Sequence, residues 1–136
     1  MIGKGHSISR TKESIAYGWN QEKDAEVVLK EFLAGDTPQE IAEEFKIIQS
    51  QNNRCINNTL SFIVSPTIED GKNMTRRDLG AIAKRFLIEM NLKNHQAISF
   101  VHRDKDHTHI HIYVNRISMT GETYKDNFIG KRSQIA

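Results

Sequence analysis

The sequence has few of the features that mark exported or membrane-embedded proteins. Cysteine occurs once, at Cys55, so no disulfide can form within the chain and nothing indicates an oxidising compartment. No apolar run approaches the length of a membrane span, and the N-terminus carries no apolar signal segment. We therefore expect a cytoplasmic protein with no membrane partner. A length of 136 residues is enough for one domain with a single core.

An excess of charge of one sign is also missing. The formal net charge is only +2, which does not by itself indicate a nucleic-acid-binding protein. Basic residues do cluster, at Arg76–Arg77, Lys84–Arg85 and Lys131–Arg132. Solvated helix faces show the same pattern, so these clusters are weak evidence. If DNA is the partner, we expect phosphate contacts from Arg76, Arg77, Lys84 or Arg85 and binding that weakens with salt.

Hydrophobic spacing and capping signals predict both helices and strands. The predicted helices are 9–20, 24–35, 36–53 and 75–92, and the predicted strands are 59–66, 96–102 and 108–117. Thr37, Pro38 and Glu40 form the typical start of the third helix. The last two strands are joined by a short polar segment and form a hairpin. The predicted fold class is α+β, an antiparallel sheet with helices packed on one face.

Histidine is concentrated in the stretch VHRDKDHTHIHIYVN, residues 101–115. Side chains alternate along a strand, so His109 and His111 point to the same face and lie about 7 Å apart. The aliphatic side chains of Ile110, Ile112 and Val114 point to the opposite face. If the hairpin pairs His102 with His109, their Cβ atoms lie about 5 Å apart. Three imidazoles then converge, a ligand set that suits a divalent ion and leaves positions open for substrate.

Two other residues of this stretch, Asp104 and His107, have predicted roles outside the ligand set. Single histidines on an exposed sheet face are ordinary surface residues, but three at converging positions favour a metal site. Asp104 is predicted to orient a ligating imidazole or to accept a proton, although Asp is also common in turns. His107 is predicted to be a loop residue near the substrate and not a ligand.

The pattern HRDKDHTHIHIYVNR resembles the H-x-D-x4-H-x-H signature of relaxases, the mobilization nucleases of conjugative and mobilizable elements, which are HUH endonucleases. The segment GHSISRTKESIAYGWNQEK resembles their tyrosine-bearing N-terminal segment, and LSFIVSPTIEDGKNMTRRDL resembles their middle motif. Two positions depart from the pattern, since many relatives carry a histidine in the strand before the serine and often an Asn at the position of His107. The resemblance implies a ferredoxin-like or RRM-like core, within the N-terminal part of a longer protein.

The resemblance also implies chemistry and residue roles. His102, His109 and His111 match the metal ligands, with Mg²⁺, Mn²⁺ or another transition metal as cofactor, and Asp104 matches the acidic residue between them. Single-stranded DNA at an origin of transfer is the implied substrate, nicked through a 5′-phosphotyrosine intermediate, with accessory mobilization proteins as possible partners. The expected DNA-binding residues, taken from the motif and from the basic clusters, are Ser65, Arg76, Arg77, His107, Asn115 and Arg116.

Three tyrosines compete for the role of nucleophile. Tyr17 lies on a short helix that Ile15 and Trp19 can anchor over the sheet, and it matches the family segment, so we favour it. Tyr113 shares the face of the histidines by alternation and stays an alternative. Tyr124 is expected to be a mobile surface residue.

Two other functions use the same residues. A metallohydrolase would activate water on the three-histidine ion and form no covalent intermediate. A single-stranded DNA-binding module would keep the metal for structure and cleave nothing.

Overall fold

The computed structural model describes residues 2–19, 25–52, 54–67, 73–104, 107–127 and 129–135, and the side chains of Ile2, Asp104, His107 and Ile135 are outside that description. Its elements in chain order are β1 Ile2–Ile8, α1 Thr11–Gly18, β2 Glu26–Glu31, α2 Pro38–Gln49, β3 Thr59–Ser65, α3 Arg76–Glu89, β4 Ala97–Asp104, β5 His107–Asn115 and α4 Ile129–Ile135. Across these segments, no helix has the length and apolarity that crossing a bilayer requires.

The strands form one five-stranded antiparallel sheet in the order β1-β3-β5-β4-β2. The predicted hairpin is β4 with β5, and its register places His102 directly opposite His109. β3 pairs with the other edge of β5, which therefore lies at the centre of the sheet. The predicted α+β class and the predicted antiparallel sheet are confirmed.

The helices are divided between the two faces of the sheet instead of lying on one face as predicted. Ile110 and Ile112 of β5 belong to a large core cluster with Leu79 and Phe86 of α3. Tyr113 follows Ile112 and points to the opposite face, where it belongs to a second cluster that includes Ile15 of α1 and Ile41 and Phe45 of α2. The second layer forms because Tyr113 and its cross-strand neighbours Ile98 and Phe100 make part of this face apolar as well.

One predicted helix is a strand. Segment 24–35 was expected to be helical because Val28, Leu29, Phe32 and Leu33 recur at helical spacing. The structure has β2 there, an edge strand whose register against β4 shifts between Val27 and Leu29. That irregularity brings the consecutive residues Val28 and Leu29 against the same core cluster. A bulged strand thus produces the spacing of an amphipathic helix.

The other three predicted helices are present, and side chains cap the first turns of α2 and α3. The Thr37 hydroxyl accepts a hydrogen bond from the Glu40 amide at 3.2 Å, with Pro38 as the first helical residue of α2. A reciprocal capping box between Thr75 and Asp78 starts α3. Hydrogen bonds from the backbone N–H and the side-chain hydroxyl of Thr75 lower the pKa of the Asp78 carboxyl.

Two elements carried too weak a signal to be predicted, β1 and α4. β1 has glycine where other strands have apolar residues, and α4 packs against it. A side chain at Gly3 would collide with the backbone carbonyl of Ser133 in α4. Glycine permits this close approach and at the same time removes the hydrophobic alternation that identifies a strand.

Candidate active site

The three predicted imidazoles lie together on one face of the β4–β5 hairpin. His102 and His109 are cross-strand partners, and His111 follows His109 on the same face of β5. The rings of His102 and His111 have centroids 4.2 Å apart at an interplanar angle of 35°. All three side chains are partly exposed, so they form a surface that a substrate can reach.

β3 contributes a hydroxyl to this group. Ser65 is the last residue of β3, and its Oγ lies 2.9 Å from Nδ1 of His109. A hydrogen bond to one ring nitrogen fixes the orientation of an imidazole and directs its other nitrogen elsewhere. Ser65 was predicted to contact DNA, and in the structure its hydroxyl bonds to a histidine of the site.

Helix α1 ends over the histidines. The carbonyl of Gly18, the last residue of α1, accepts a hydrogen bond from Nε2 of His102 at 2.5 Å. A Cβ built on Gly18 would lie 2.7 Å from the Tyr113 ring, so only glycine allows the helix end to approach this closely. Ile15 is fully buried, and the Trp19 ring packs on Phe100 at a centroid distance of 5.1 Å. The predicted anchoring of α1 by Ile15 and Trp19 is thus present.

The tyrosines differ in their access to a substrate. Tyr17 precedes Gly18 and is 64% exposed, whereas Tyr113 is 4% exposed. Burial, with a smaller contribution from the neighbouring Tyr17, raises the pKa of the Tyr113 hydroxyl to about 12. A phenol that is both buried and harder to deprotonate is the poorer nucleophile, so the geometry favours Tyr17 over Tyr113.

Tyr124 is not the mobile surface residue that was expected. Its hydroxyl donates to the Met90 carbonyl at 2.7 Å, and its ring packs against the core cluster that contains α3. The Arg132 guanidinium lies 5.1 Å from the ring centroid. Tyr124 is therefore fixed on the side of the sheet opposite to the histidines.

An open pocket of about 250 Å³ adjoins the imidazoles on the β3 side. It is lined by Lys4, Ile63, Ser65, His109 and His111. Lys4 was missed from the sequence because β1 was not predicted, and without β1 nothing places residue 4 near residue 111.

Comparison with known proteins places this site in a family. Residues 17–136 match the family described as relaxase, MobA/VirD2-like, nuclease domain. The chain belongs to this family. The predicted resemblance to relaxases is confirmed.

One curated relative gives a more limited similarity to this relaxase domain. A stretch of 63 residues is 35% identical to Protein TraI of Escherichia coli, and it covers 46% of this chain and 8% of that protein. The chain thus spans a small fraction of the relative's length. No solved structure matches the chain.

Asn115 of the relaxase domain is structural and not the DNA contact that was expected. It is fully buried, and its Nδ2 donates to the Phe45 carbonyl at 3.1 Å and to Gln96 Oε1 at 2.9 Å. Its Oδ1 accepts from the Ile117 amide at 3.0 Å. With these bonds made beneath α2, the side chain has no surface on which DNA can lie.

Arg116 is likewise committed to the protein. Its guanidinium donates to the carbonyls of Tyr124 and Asn57 and lies 3.3 Å from the Asp126 carboxylate. Only 17% of the side chain is exposed. The structure thus gives Arg116 a role in holding the segment after β5, which argues against the predicted DNA contact.

The basic pair at the start of α3 does not reach the histidine face. α3 packs on the face of β5 that carries Ile110 and Ile112. Arg76 donates from Nε to the Val27 carbonyl at 2.9 Å and lies 3.4 Å from Glu26. Arg77 is exposed on the same helix. Any contact of this pair with DNA is therefore separate from the three imidazoles.

Two predicted site residues are described only by their backbones. Asp104 is the last residue of β4 and pairs with His107, the first residue of β5. His107 thus belongs to the strand and not to the loop, contrary to the prediction. The predicted roles of both side chains, in catalysis and in DNA contact, lie outside the described residues.

The donor set fits a divalent ion in chemistry and backbone placement but not in the present side-chain positions. Three neutral imidazoles on adjacent strands suit Mn²⁺ or another borderline metal better than Mg²⁺, which prefers oxygen ligands. Among the described residues, no group of three His, Cys, Asp or Glu side chains is arranged to hold an ion. Nε2 of His102 is directed at Gly18, so ligation by that nitrogen requires this bond to break.

Proposed function

We propose that this relaxase domain nicks one strand of DNA at an origin of transfer through attack of the Tyr17 hydroxyl on a phosphodiester. Family membership supports the nicking reaction, and the position of α1 supports the choice of tyrosine. The observation that carries the proposal is the close packing of Gly18 on the Tyr113 ring, because it holds the residue next to Tyr17 beside the imidazoles whether or not His102 is bonded to the Gly18 carbonyl. Exposure of Tyr17 leaves its ring accessible to a bound strand.

The proposed reaction conserves the number of phosphodiester bonds. The Tyr17 oxygen forms a bond to phosphorus while the bond from phosphorus to the 3′ oxygen breaks. The phenolic proton passes to a base, for which Asp104 is the candidate, and the departing 3′ oxygen takes up a proton from solvent. The products are a 5′-phosphotyrosine and a free 3′-OH, so the reverse reaction can reseal the strand without another energy source.

His102, His109 and His111 are the residues that would hold the proposed divalent ion. When bound, the ion supplies polarisation of the phosphate and screening of its charge from the incoming oxygen. The Ser65 hydroxyl lies 2.9 Å from His109 Nδ1, so Nε2 would be the nitrogen of that residue that holds the ion. His102 would give up its bond to Gly18 if it ligated through Nε2, and the packing of Gly18 on Tyr113 would still hold the end of α1 in place.

Neighbouring residues restrict the reaction to one tyrosine. Tyr113 is buried under Gly18, so its hydroxyl is withheld from a bound strand, and burial also raises its pKa, which makes it the poorer nucleophile. Tyr124 is fixed by its bond to Met90 on the opposite side of the sheet. Both residues are therefore suitable controls for substitution of Tyr17.

The test is incubation with single-stranded oligonucleotides from an origin region in Mg²⁺ or Mn²⁺, followed by denaturing gels. The wild type should give a shorter DNA product and a protein–DNA adduct of matching yield. Both should disappear in Tyr17→Phe and remain in Tyr113→Phe and Tyr124→Phe. Cleavage without an adduct would instead establish a water-using metallohydrolase, and binding without cleavage a non-catalytic module. An adduct that survives in Tyr17→Phe would refute the assignment of the nucleophile.

A further inference from the structure

The pocket beside the imidazoles follows from the register of three strands. Lys4 of β1 lies opposite Ile63 of β3, and Ile63 lies opposite His111 of β5. Residues that pair across strands point to the same face, so these three side chains form one row. Two inter-strand spacings, about 10 Å, separate the Lys4 and His111 backbones. A flexible lysine side chain can extend over much of that distance.

Helix α1 covers only one side of the imidazoles. Its C-terminal end is tied to His102 of β4 and packed on Tyr113 of β5. The pocket lies on the opposite side, towards β3 and β1. Tyr17 therefore approaches a phosphate at the histidines from the β4 side, while the β3 side stays open.

The geometry of in-line displacement at phosphorus indicates which part of the DNA lies on the open, β3 side of the imidazoles. In displacement at phosphorus, the attacking and departing oxygens lie on opposite sides of the phosphorus atom. If the Tyr17 oxygen enters from the β4 side, the departing 3′ oxygen leaves towards β3. The nucleotide that carries this oxygen must then extend over Ile63 towards Lys4.

We propose that the pocket binds the nucleotide carrying the departing 3′ oxygen and that Lys4 pairs with the phosphate on the 5′ side of that nucleotide. The proposal rests on Tyr17 being the nucleophile. The five residues that line the pocket include a lysine and no carboxylate, which complements a phosphate. Ile63 supplies an apolar surface for the sugar. Lys4 is a positioning residue, because it contacts the DNA one phosphate away from the reacting atoms.

The same contact has a consequence after cleavage. The DNA segment that ends in the free 3′-OH has lost its bond to the scissile phosphate, and only non-covalent contacts keep it near the phosphotyrosine. Lys4 would hold the phosphate behind it and so favour resealing over escape of the cleaved strand. Loss of Lys4 should therefore reduce resealing at least as much as nicking.

The decisive experiment couples a change in the protein to a change in the DNA. Nicking rates are measured for wild type and Lys4→Met on oligonucleotides with one neutral methylphosphonate, placed either at the first phosphate 5′ of the scissile one or at the first phosphate 3′ of it. Lys4→Met should slow nicking of ordinary DNA roughly tenfold, as expected for loss of one charge-assisted contact. It should cause no further loss on the 5′-neutral DNA and the full loss on the 3′-neutral DNA.

Control variants separate the charge from the side chain. Lys4→Arg should restore most of the rate, and Lys93→Met, in a separate pocket by α3, should nick like the wild type. Because Lys4 is exposed, Lys4→Met should fold normally. Additive losses on the 5′-neutral DNA, or coupling to the 3′ phosphate instead, would overturn the assignment.

A binding measurement distinguishes failure of this inference from failure of the proposed nicking. Anisotropy is recorded with two labelled oligonucleotides, one that ends in the 3′-OH at the nick and one that begins with the 5′-phosphate. Lys4→Met should weaken only the first, by a similar factor of roughly ten. That result would support the pocket even for a protein that forms no adduct. Equal affinities of wild type and Lys4→Met for the first oligonucleotide would refute it.

Discussion

His111 and Asn115 lie on the same face of the same strand, four residues apart, and have opposite environments. His111 is partly exposed beside the open pocket. Asn115 is fully buried, with its amide bonded to Phe45 and Gln96. The difference arises from the helix layer, because α2 supplies the Phe45 carbonyl above Asn115 while α1 ends at Gly18 before it covers His111. Strand alternation determines the face on which a side chain lies, and the helix layer over that face determines whether the side chain is accessible to a substrate.

The largest expected effect comes from the exposed end of this face. His111→Ala should reduce nicking by at least about a hundredfold, because it removes one of three proposed ligands. Its free energy of unfolding should change by about 0.5 kcal/mol or less, since the side chain is partly solvated. Nicking gels and urea unfolding measure the two quantities. His6→Ala, an exposed histidine of β1, serves as the matched control and should change neither.

Substitution at the buried end of this face should lower stability and leave nicking nearly unchanged. Asn115→Ala removes the partner of three buried hydrogen bonds, so we expect a loss of about 3 kcal/mol in the free energy of unfolding. Nicking per folded molecule should stay near that of the wild type, as measured at low temperature where the variant is folded. The exposed Asn94→Ala should change stability little. If Asn115→Ala is as stable as the wild type but binds DNA weakly, Asn115 is a DNA contact after all.

Much of the exposed end was predictable from the sequence. The alternation of imidazoles with Ile110 and Ile112 determines which residues share a face, and the short polar loop restricts the hairpin to the register that pairs His102 with His109. The position of Tyr17 over this face was also predictable, because Ile15 and Trp19 supply the apolar anchors of a short helix. The inferences about the hairpin depend on contacts between residues close in sequence and on strand periodicity, whereas the placement of α1 joins residues 84 positions apart and was aided by the family resemblance.

What was missed depends on contacts distant in sequence. Lys4 reaches the site only because β1 pairs with β3, and the glycines of β1 that admit α4 remove its hydrophobic pattern. β2 was predicted as a helix because its register shift gives Val28 and Leu29 a common environment. Asn115 was predicted to contact DNA because it matches a family motif. A motif match gives only the residue type, whereas the burial of Asn115 results from α2, whose Phe45 lies 70 residues away in the sequence.

A smaller effect, on metal affinity, is expected from the residue that bonds to an imidazole from β3. Ser65→Ala removes the hydroxyl at His109 Nδ1, so affinity for Mn²⁺ should fall about tenfold, which is typical for a residue that orients a metal ligand. Ser65→Thr should restore the affinity, because it returns a hydroxyl. Ser61→Ala, on the same face of β3 but opposite Tyr113, is the control. A Kd for Mn²⁺ that is equal in Ser65→Ala and wild type would mean that the bond does not orient a ligand.

The smallest effect is expected at Tyr113, which lies between the two ends of the face. Tyr113→Phe should nick within about twofold of the wild type at neutral pH, because the hydroxyl is buried and does not attack.

The stability of Tyr113→Phe should differ from that of the wild type in alkali. The pKa of Tyr113 is raised from 10.0 to about 12 in the folded protein, so above pH 10 the unfolded chain loses this proton while the folded chain retains it. Stability that is fully present below pH 10 is therefore lost as the pH rises towards 12, by up to roughly 2–3 kcal/mol. Phenylalanine has no proton to lose, so urea unfolding of Tyr113→Phe should show a weaker decline over this interval than the wild type. Parallel declines in the two proteins would show that Tyr113 ionises as readily when folded as when unfolded, and the argument from its burial against Tyr113 as nucleophile would fail with it.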